Sequence, residues 1–222
     1  MKVFSLKVLL ISLPVYIYTQ SFSDVSLVSG FDDKSMNNGI AVGDYNNDGF
    51  EDIYVCNREG KNLFYENLGN GQFDEKASML GIDFNGKSNT SIWLDFDNDG
   101  DQDLYVGNYD EANILYRNEG DVFTDVTQQF NLGTIGRISS LNAGDFDMDG
   151  DLDIYVANFN EKNKLYRNEG AFFIDVAPVS GITLQTPSMA AILFDYDHDG
   201  DLDVYQVNDA NKPNELYRND NM

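Results

Sequence analysis

The 222-residue sequence is poor in basic residues and has one cysteine and one histidine. Its 14 lysines and arginines face 38 aspartates and glutamates, which gives a formal net charge of −24. Binding to nucleic acid requires clustered basic side chains that neutralise phosphates, so this balance predicts no nucleic-acid partner. A single cysteine, Cys56, excludes an intramolecular disulfide. We interpret Cys56 as a buried packing residue rather than a nucleophile.

Long hydrophobic runs are also missing beyond the N-terminus. A basic segment (1–7) precedes one apolar-biased stretch (8–18), which is the pattern of a secretory signal peptide. A span of a bilayer needs about 20 apolar residues, and this stretch is shorter. We therefore predict that residues 1–20 are a signal peptide, that the protein is secreted, periplasmic or on the cell surface, and that it has no stable membrane span. A retained membrane anchor is the alternative.

The sequence is nevertheless that of a folded protein, with 42% hydrophobic and 13% aromatic residues. Half of the 38 acidic residues lie in four similar nine-residue segments, so the acid is concentrated rather than spread along a disordered tail. These segments are residues 44–52, 95–103, 145–153 and 195–203.

The third of these segments, Asp-Phe-Asp-Met-Asp-Gly-Asp-Leu-Asp, shows their chemistry best. Carboxylates at positions 1, 3, 5 and 9 can converge on one cation if the chain turns sharply, and Gly150 at position 6 permits the positive φ that such a turn needs. Hard oxygen ligands in a flexible loop favour Ca²⁺ over Mg²⁺ or thiophilic metals. Position 7 is expected to contribute a backbone carbonyl. The alternative is a set of acidic, solvated turns, but carboxylates about 4 Å apart repel one another, which argues against it.

The sequence therefore predicts up to four Ca²⁺ ions, one for each segment. The predicted positions are Asp44, Asn46, Asp48, Phe50 and Asp52; Asp95, Asp97, Asp99, Asp101 and Asp103; Asp145, Asp147, Asp149, Asp151 and Asp153; and Asp195, Asp197, Asp199, Asp201 and Asp203. We expect the first loop to bind most weakly, because Asn46 and Phe50 replace carboxylates.

The acidic segments recur about every 50 residues, which is the period of a repeat architecture. They are not EF-hands, because position 12 is Val or Gln instead of a bidentate Glu and a strand pattern follows. A second motif of the form Asn-x-Leu/Phe-Tyr-x-Asn follows each loop. We interpret its tyrosines as packing residues, with carbohydrate stacking as the alternative. These tyrosines are Tyr65, Tyr116, Tyr166 and Tyr217.

Each repeat contains four short strand patterns separated by Gly, Asn or Asp turns. In the third repeat we predict strands at 123–127, 139–144, 152–157 and 164–168. Four strands in about 50 residues describe the blade of a β-propeller. The prediction is an all-β propeller of four-stranded antiparallel blades over residues 21–222, with repeats at about 22–72, 73–122, 123–172 and 173–222.

The acidic loop followed by its strand resembles the FG-GAP/VCBS repeat, the calcium-binding blade of integrin-α-like propellers. The longer pattern over residues 22–219 is similar to secreted proteins of the cartilage acidic protein type. The literal Phe-Gly and Gly-Ala-Pro motifs of the repeat are missing. The resemblance implies propellers that commonly have seven blades. Two arrangements are therefore open: four blades closed into a ring, in which the strand near 22–26 completes the last blade, or part of a larger propeller.

The segments that differ most between repeats precede the first strand of each blade. They are residues 33–37, 85–89, 134–138 and 185–188, and three of them carry basic residues: Lys34, Lys87 and Arg137. Loops on a rigid scaffold are common binding sites, so we predict that these residues contact an extracellular protein or glycan. Plain linkers are the alternative.

Catalysis usually requires residues that break a repeat, and few do so here. His198 takes a loop position that is Asn or Met elsewhere, and no nucleophile with a base partner is evident. We predict a non-enzymatic interaction or adhesion module. The alternatives are a calcium-dependent polysaccharide lyase or hydrolase, in which paired carboxylates act as acid and base, and the N-terminal part of a larger secreted repeat protein.

Overall fold

The computed structural model describes residues 21–182 and 187–220, and these residues are almost entirely β-structure. The predicted signal peptide (1–20) and part of the predicted 185–188 segment lie outside the described residues. In chain order the elements are β1 (Asn37–Gly43), β2 (Asp52–Asn57), β3 (Gly60–Lys61), β4 (Leu63–Asn67), β5 (Phe73–Glu75), α1 (Ala77–Leu80), β6 (Asn85–Gly86), β7 (Ser88–Leu94), β8 (Asp103–Ala112), β9 (Ile114–Asn118), β10 (Phe123–Asp125), β11 (Ile135–Gly144), β12 (Asp153–Asn158), β13 (Lys164–Asn168), β14 (Phe173–Asp175), β15 (Ser188–Phe194), β16 (Asp203–Asn208) and β17 (Glu215–Tyr217).

The strands form four antiparallel blades of one design. Blade 1 has the order β1-β2-β4-β5, blade 2 the order β7-β8-β9-β10, and blade 3 the order β11-β12-β13-β14. Blade 4 contains β15-β16-β17. The propeller-like, all-β prediction is therefore confirmed.

The outermost strand of each complete blade comes from the following sequence repeat. β5 begins at Phe73, and it pairs with β4 through Asn67↔Phe73 and Tyr65↔Glu75. β10 and β14 do the same in blades 2 and 3. The predicted strand 123–127 ends at Asp125, because the Asp125 carboxylate accepts hydrogen bonds from the N–H and the hydroxyl of Thr127 and turns the chain.

Three hydrophobic cores lie between successive blades rather than within them. The middle position of each second strand is a tyrosine, and Tyr54, Tyr105 and Tyr155 are fully buried against the next blade. Cys56 is also fully buried, where its Sγ lies 3.3 Å from Ser91 Oγ of blade 2, and burial raises its pKa to about 12. Its interpretation as a packing residue is confirmed. Tyr65, Tyr116 and Tyr166 are buried as expected of packing residues.

The first strands of neighbouring blades lie side by side along the arc. Asn38 Nδ2 donates to Asn89 Oδ1, Asn89 Nδ2 donates to the carbonyl of Ile138 at 2.7 Å, and Ser139 Oγ donates to that of Ser188 at 2.6 Å. At one end of the blades, β8 extends far enough to pair with the start of β11, which joins blades 2 and 3 into one sheet. Between blades 1 and 2, the strand pairing among the described residues is limited to the two-residue bridge β3-β6.

The four blades form an open arc, so the closed four-bladed ring is wrong. In a closed ring the segment near Phe22 would form the outer strand of blade 4, but in the structure it is not a strand, and Phe22 is 97% exposed. Among the described residues, the sheet of blade 4 ends at β17. Its face on the far side from blade 3 is exposed.

Candidate functional site

Each acidic segment forms a tight loop between the first two strands of a blade. In the third loop, Asp145 Oδ1 accepts the N–H of Asp149 and Asp145 Oδ2 accepts the N–H of Gly150, both at 3.1 Å. Met148 and Gly150 have φ values of 60° and 98°, which produce the turn. The first aspartate of the other three loops makes the same pair of bonds. Position 1 therefore shapes the loop as well as offering oxygen ligands.

Three of the loops bring carboxylates together as predicted. In each, three carboxylate oxygens lie within 4.8 Å of one another. The groups are Asp95, Asp97 and Asp99; Asp145, Asp147 and Asp153; and Asp195, Asp197 and Asp199. Oxygen donors at this spacing match the ligand set that Ca²⁺ takes in proteins.

The position-3 aspartates have the environment of metal ligands. Asp97 Oδ1 is buried and has no hydrogen-bond partner among the described residues. Burial, together with the negative charge of the neighbouring Asp99, raises the pKa of Asp97, and the same two causes raise the pKa of Asp147 with Asp149 as its neighbour. An unpaired buried oxygen and crowded negative charge are both compensated by a bound cation, so these residues fit Ca²⁺.

The position-9 aspartates are fully buried and connect the loop to the rest of the blade. Asp103 Oδ2 accepts the N–H of Phe96 at 3.2 Å, and Asp103 Oδ1 accepts the N–H of Asn118 at 2.8 Å. Burial raises the pKa of Asp103 to about 7 and that of Asp52 and Asp153 to about 6. These carboxylates hold strands together in addition to the ligand role predicted for them.

Two of the position-7 side chains form hydrogen bonds with the loop of the preceding blade instead of joining the carboxylates of their own loop. Asp101 Oδ1 accepts a hydrogen bond from Asn47 Nδ2 of the preceding loop at 3.1 Å, and Asp151 Oδ1 accepts one from Asn98 Nδ2 at 2.7 Å. The Asp201 N–H donates to Asp199 Oδ1. Phe50 has an apolar side chain, so only its carbonyl could coordinate. The side chains of Asp101 and Asp151 thus link loops of neighbouring blades.

The first loop is the least acidic of the four. Asn46 Nδ2 donates to Asp48 Oδ2 at 3.1 Å. Positions 3 and 5 of this loop are therefore hydrogen-bonded to each other, whereas in the other loops both positions are carboxylates. Its remaining carboxylates, Asp44, Asp48 and Asp52, do not form a group within 4.8 Å among the described residues. The first loop as the structure describes it therefore has no carboxylate group like those of the other three, and its weaker calcium binding stays a prediction.

An arginine beside the position-3 aspartate was missed by the sequence analysis. Arg167 Nε lies 3.9 Å from Asp147 Oδ2 and donates a hydrogen bond to Glu169 Oε1. The sequence signal was the repeated Leu-Tyr-Arg-Asn, in which Arg117, Arg167 and Arg218 recur while blade 1 has Glu66. These arginines offset part of the loop charge.

The basic residues predicted to bind a partner lie at the opposite end of the blades from the loops. β1, for example, starts at Asn37↔Asn57 and ends beside the loop at Gly43↔Asp52. Lys34 and Lys87 are exposed there, and Arg137 forms an ion pair with Asp110 at 3.0 Å. We call this end the rim.

Tyr109 lies at the centre of the rim, and the sequence did not predict its contacts. The guanidinium carbons of Arg58 and Arg137 lie 4.3 Å and 4.9 Å from the centroid of the Tyr109 ring. The Tyr109 N–H donates to the Lys87 carbonyl at 2.8 Å. The structure thus brings Arg137 and the backbone of Lys87 together around Tyr109, whereas Lys34 lies on the separate 33–37 loop. Arg58 and Tyr109 occupy equivalent positions of the first and second repeats, where the third and fourth repeats have Phe159 and Asp209. The variability of this position was the one sequence signal that could have indicated a binding site there.

None of the described residues belongs to a helix that is long and apolar enough to cross a membrane.

Comparison with known proteins gives the family of the chain. The model of the FG-GAP-like repeat matches residues 44–106, 95–156 and 145–206, and each match runs from one acidic loop to the strand after the next. Cartilage acidic protein 1 of Mus musculus is 31% identical over 94 residues, which are 42% of this chain and 15% of that protein. Cartilage acidic protein 1 of Xenopus tropicalis is 33% identical over 116 residues, 50% of this chain and 18% of that protein. The chain therefore spans less than a fifth of the length of these relatives.

Among solved structures, the crystal structure of BBS1N in complex with ARL6DN, soaked with lead, is similar in fold. Its TM-score is 0.50 at 10% identity, and the match covers 79% of this chain and 51% of that one. The repeat matches cover more than half of the sequence and coincide with the loops and blades described above. This chain therefore belongs to the FG-GAP-like repeat family.

Proposed function

We propose that this protein is a calcium-stabilised, extracytoplasmic interaction module without catalytic activity. The observation that carries the proposal is the gathering of three carboxylate oxygens within 4.8 Å in three loops of the same design. Calcium held there would neutralise part of the net charge of −24 and stabilise the turns between the strands.

Calcium at millimolar concentration outside the cytoplasm would fill loops of modest affinity. The proposed location rests on this argument and on the signal-peptide pattern of residues 1–20.

The rim is the proposed contact surface for a protein or glycan. Two guanidinium groups lie on one tyrosine ring, with the backbone of Lys87 beside them, and of these two arginines Arg137 is paired with Asp110. Arginine and tyrosine are enriched where proteins make strong contacts. The rim is also remote from the loops along each strand, so calcium would act on it through the rigidity of the blades.

Calcium removal tests the stabilising role. At a calcium concentration one hundred times Kd, each site adds about 2.7 kcal/mol, which corresponds to roughly 5–10 °C in Tm for a chain of this size. We expect Tm to fall markedly when EDTA replaces calcium and to return when calcium is added back in excess. Magnesium at the same concentration serves as the matched control. A Tm that is the same in EDTA and in calcium would contradict the proposal.

Substitutions at the rim test the contact role. Calcium-loaded protein is applied to immobilised neutral, uronate-containing and sulfated polysaccharides and to extracellular matrix proteins. The double variant Lys87→Ser with Arg137→Ser should weaken binding to whichever surface the native protein binds. Its Tm should fall by no more than about 4 °C, because the lost ion pair with Asp110 is partly exposed and contributes about 1 kcal/mol at most. Turnover of a polysaccharide that is abolished by one substitution outside the loops would establish an enzyme instead.

A further inference from the structure

The exposed face of blade 4 has the same residues as the faces that are buried between the other blades. Tyr205 is equivalent to Tyr54, Tyr105 and Tyr155, which are fully buried, yet Tyr205 is 36% exposed. Phe194, Tyr196, Val207 and Leu216 are exposed on the same blade. In each of the three internal interfaces, such a face packs against the next blade, on the side that carries residues of its first strand.

The opposite end of the arc offers a matching surface on blade 1. Ile40 and Val42 of β1 are exposed, and they are equivalent to Ser91 and Trp93 of β7. Ser91 bonds to Cys56, and Trp93 packs edge-on against Tyr54 with the ring centroids 6.3 Å apart. By this equivalence, Ile40 and Val42 would receive Val207 and Tyr205.

The segment that leads into blade 1 already has the conformation of a segment between two blades. The Ser29 N–H donates to the Val25 carbonyl at 2.9 Å and the Phe31 N–H to the Ser26 carbonyl at 2.9 Å. Between blades 2 and 3, the N–H groups of Phe130 and Leu132 make the equivalent bonds to Val126 and Thr127. Asp24 also accepts the N–H and hydroxyl of Ser26, as Asp125 does from Thr127. In blades 1 to 3 such a segment always follows an outer strand.

A hydrogen-bond clamp between blades repeats three times and is incomplete at both ends. In each case an asparagine Nδ2 donates to a backbone carbonyl of the preceding blade at 2.8 Å. The pairs are Asn118 with Tyr45, Asn168 with Phe96 and Asn219 with Phe146. The equivalent donor in blade 1 is Asn67 Nδ2. Among the described residues it donates to the Glu51 carbonyl of its own blade at 3.1 Å and to no other blade. The equivalent acceptor in blade 4 is the Tyr196 carbonyl.

We propose that the end face of blade 4 binds the blade 1 face of a second copy of this chain. Residues 22–24 of one copy would add to the free edge of β17 in the other, and Asn67 would donate to the Tyr196 carbonyl across the interface. The register follows that of β9 and β10, where Asn118↔Phe123 and Tyr116↔Asp125 pair. It places Phe22 opposite Asn219 and Asp24 opposite Tyr217. A second copy is the occupant because one chain presents both surfaces of the contact, the face of blade 4 and the face of blade 1. Equivalent surfaces already pack together in the three interfaces between its blades. The pairing would also cover an exposed sheet edge.

Solution mass tests the contact. For calcium-loaded protein, sedimentation equilibrium over a concentration series should show species of at least twice the mass of one chain. Phe22→Asp should raise the dissociation constant at least about tenfold, because it puts a charge into the added strand. At a protein concentration low enough for the native protein to be a single chain, its Tm should not change, because Phe22 is exposed there. Leu216→Arg is the matching change on the other face. Met79→Asp, at an exposed position of α1, is the control and should leave association unchanged. A single-chain mass at all concentrations, or association unaffected by both interface variants, would overturn the proposal.

Cross-linking tests the register and distinguishes a second copy from closure within one chain. Ser23→Cys protein carrying a tag is mixed with untagged Arg218→Cys protein and oxidised mildly. A covalent pair of one tagged and one untagged chain is expected, and Leu27→Cys in place of Ser23→Cys should form far less of it. A variant that carries both Ser23→Cys and Arg218→Cys tests closure within one chain. If it cross-links only within single chains while the mixture gives no mixed pair, the second copy is not the occupant and the proposal fails.

Discussion

At the scale of single residues, two aspartates of one loop are expected to respond differently to substitution. Asp97 has a buried oxygen with no hydrogen-bond partner among the described residues, whereas Asp101 accepts a hydrogen bond from Asn47. Asp97→Asn should therefore lower the calcium affinity of the second loop at least about tenfold and leave the metal-free Tm equal or higher, since a like-charge contact is removed.

Asp101→Asn is the matched control, because it removes one charge from the same loop at a side chain turned toward the neighbouring loop. Calorimetric titration with calcium, and thermal melts in EDTA, measure both effects. An equal loss of affinity in the two variants would show that the loop recognises total charge rather than the placement of Asp97.

The buried position-9 aspartates predict an unusual dependence of stability on pH. Burial raises the pKa of Asp103 to about 7 and that of Asp52 and Asp153 to about 6, above the ordinary value of about 4. A raised pKa means that the folded metal-free protein binds protons that the unfolded chain releases. The stabilisation is fully present below about pH 4 and is lost as pH rises through about 6 to 7.

Bound calcium favours the ionised carboxylates, so the sign reverses when it is present. In EDTA, Tm should fall between about pH 5 and about pH 8, and the increase in Tm produced by calcium should grow over the same range. Thermal melts in paired buffers with and without calcium measure both trends. A Tm in EDTA that rises with pH across this window would contradict the assignment.

At the scale of the structural elements, the clamp asparagines should contribute strongly to the contact between blades. Asn168 Nδ2 donates to the carbonyls of Phe96 and Leu152, and its N–H donates to Asp153. Asn168→Ala leaves buried carbonyls without donors, at a cost of about 1–3 kcal/mol each, so the free energy of unfolding should fall by a few kcal/mol. Urea unfolding measures the loss. Asn70→Ala, in an exposed turn, should change stability by less than about 0.5 kcal/mol.

The loops and most strands could be predicted because local chemistry determines them. In the third repeat, spaced carboxylates and Gly150 specify the turn, and β13 (Lys164–Asn168) has the predicted bounds. The contacts of Arg58 and Arg137 with Tyr109 could not be predicted, because they depend on how strand ends of three blades meet. The sequence left two arrangements open, a closed ring and part of a larger propeller, because the repeat pattern does not determine the curvature of the arc. The structure decides between them at β17, whose outer edge has no partner strand among the described residues.

At the scale of the whole molecule, stability should vary along the arc. In the part of the chain that the structure describes, each hydrophobic core joins two successive blades, as in other repeat proteins, and blade 4 has one exposed face. Amide protons in β16 should therefore exchange faster with solvent than those in β12, the equivalent strand of blade 3. Hydrogen exchange by mass spectrometry at low protein concentration measures the difference. Equal protection would mean that the arc opens only as a unit.

The pairing of β8 with β11 should make the contact between blades 2 and 3 the most resistant to a pulling force. Under tension applied at the two chain ends, blades 1 and 4 are attached through side-chain cores and short bridges, whereas blades 2 and 3 share backbone hydrogen bonds of one sheet. The terminal blades should yield first and one at a time. Each would release about 50 residues of slack, or roughly 170 Å, and the central pair would then rupture last in a single event of about twice that length. A tether loaded in this way would lose the contact of Arg58 with Tyr109 when blade 1 yields, but would keep the contact of Arg137 with Tyr109 until the final step.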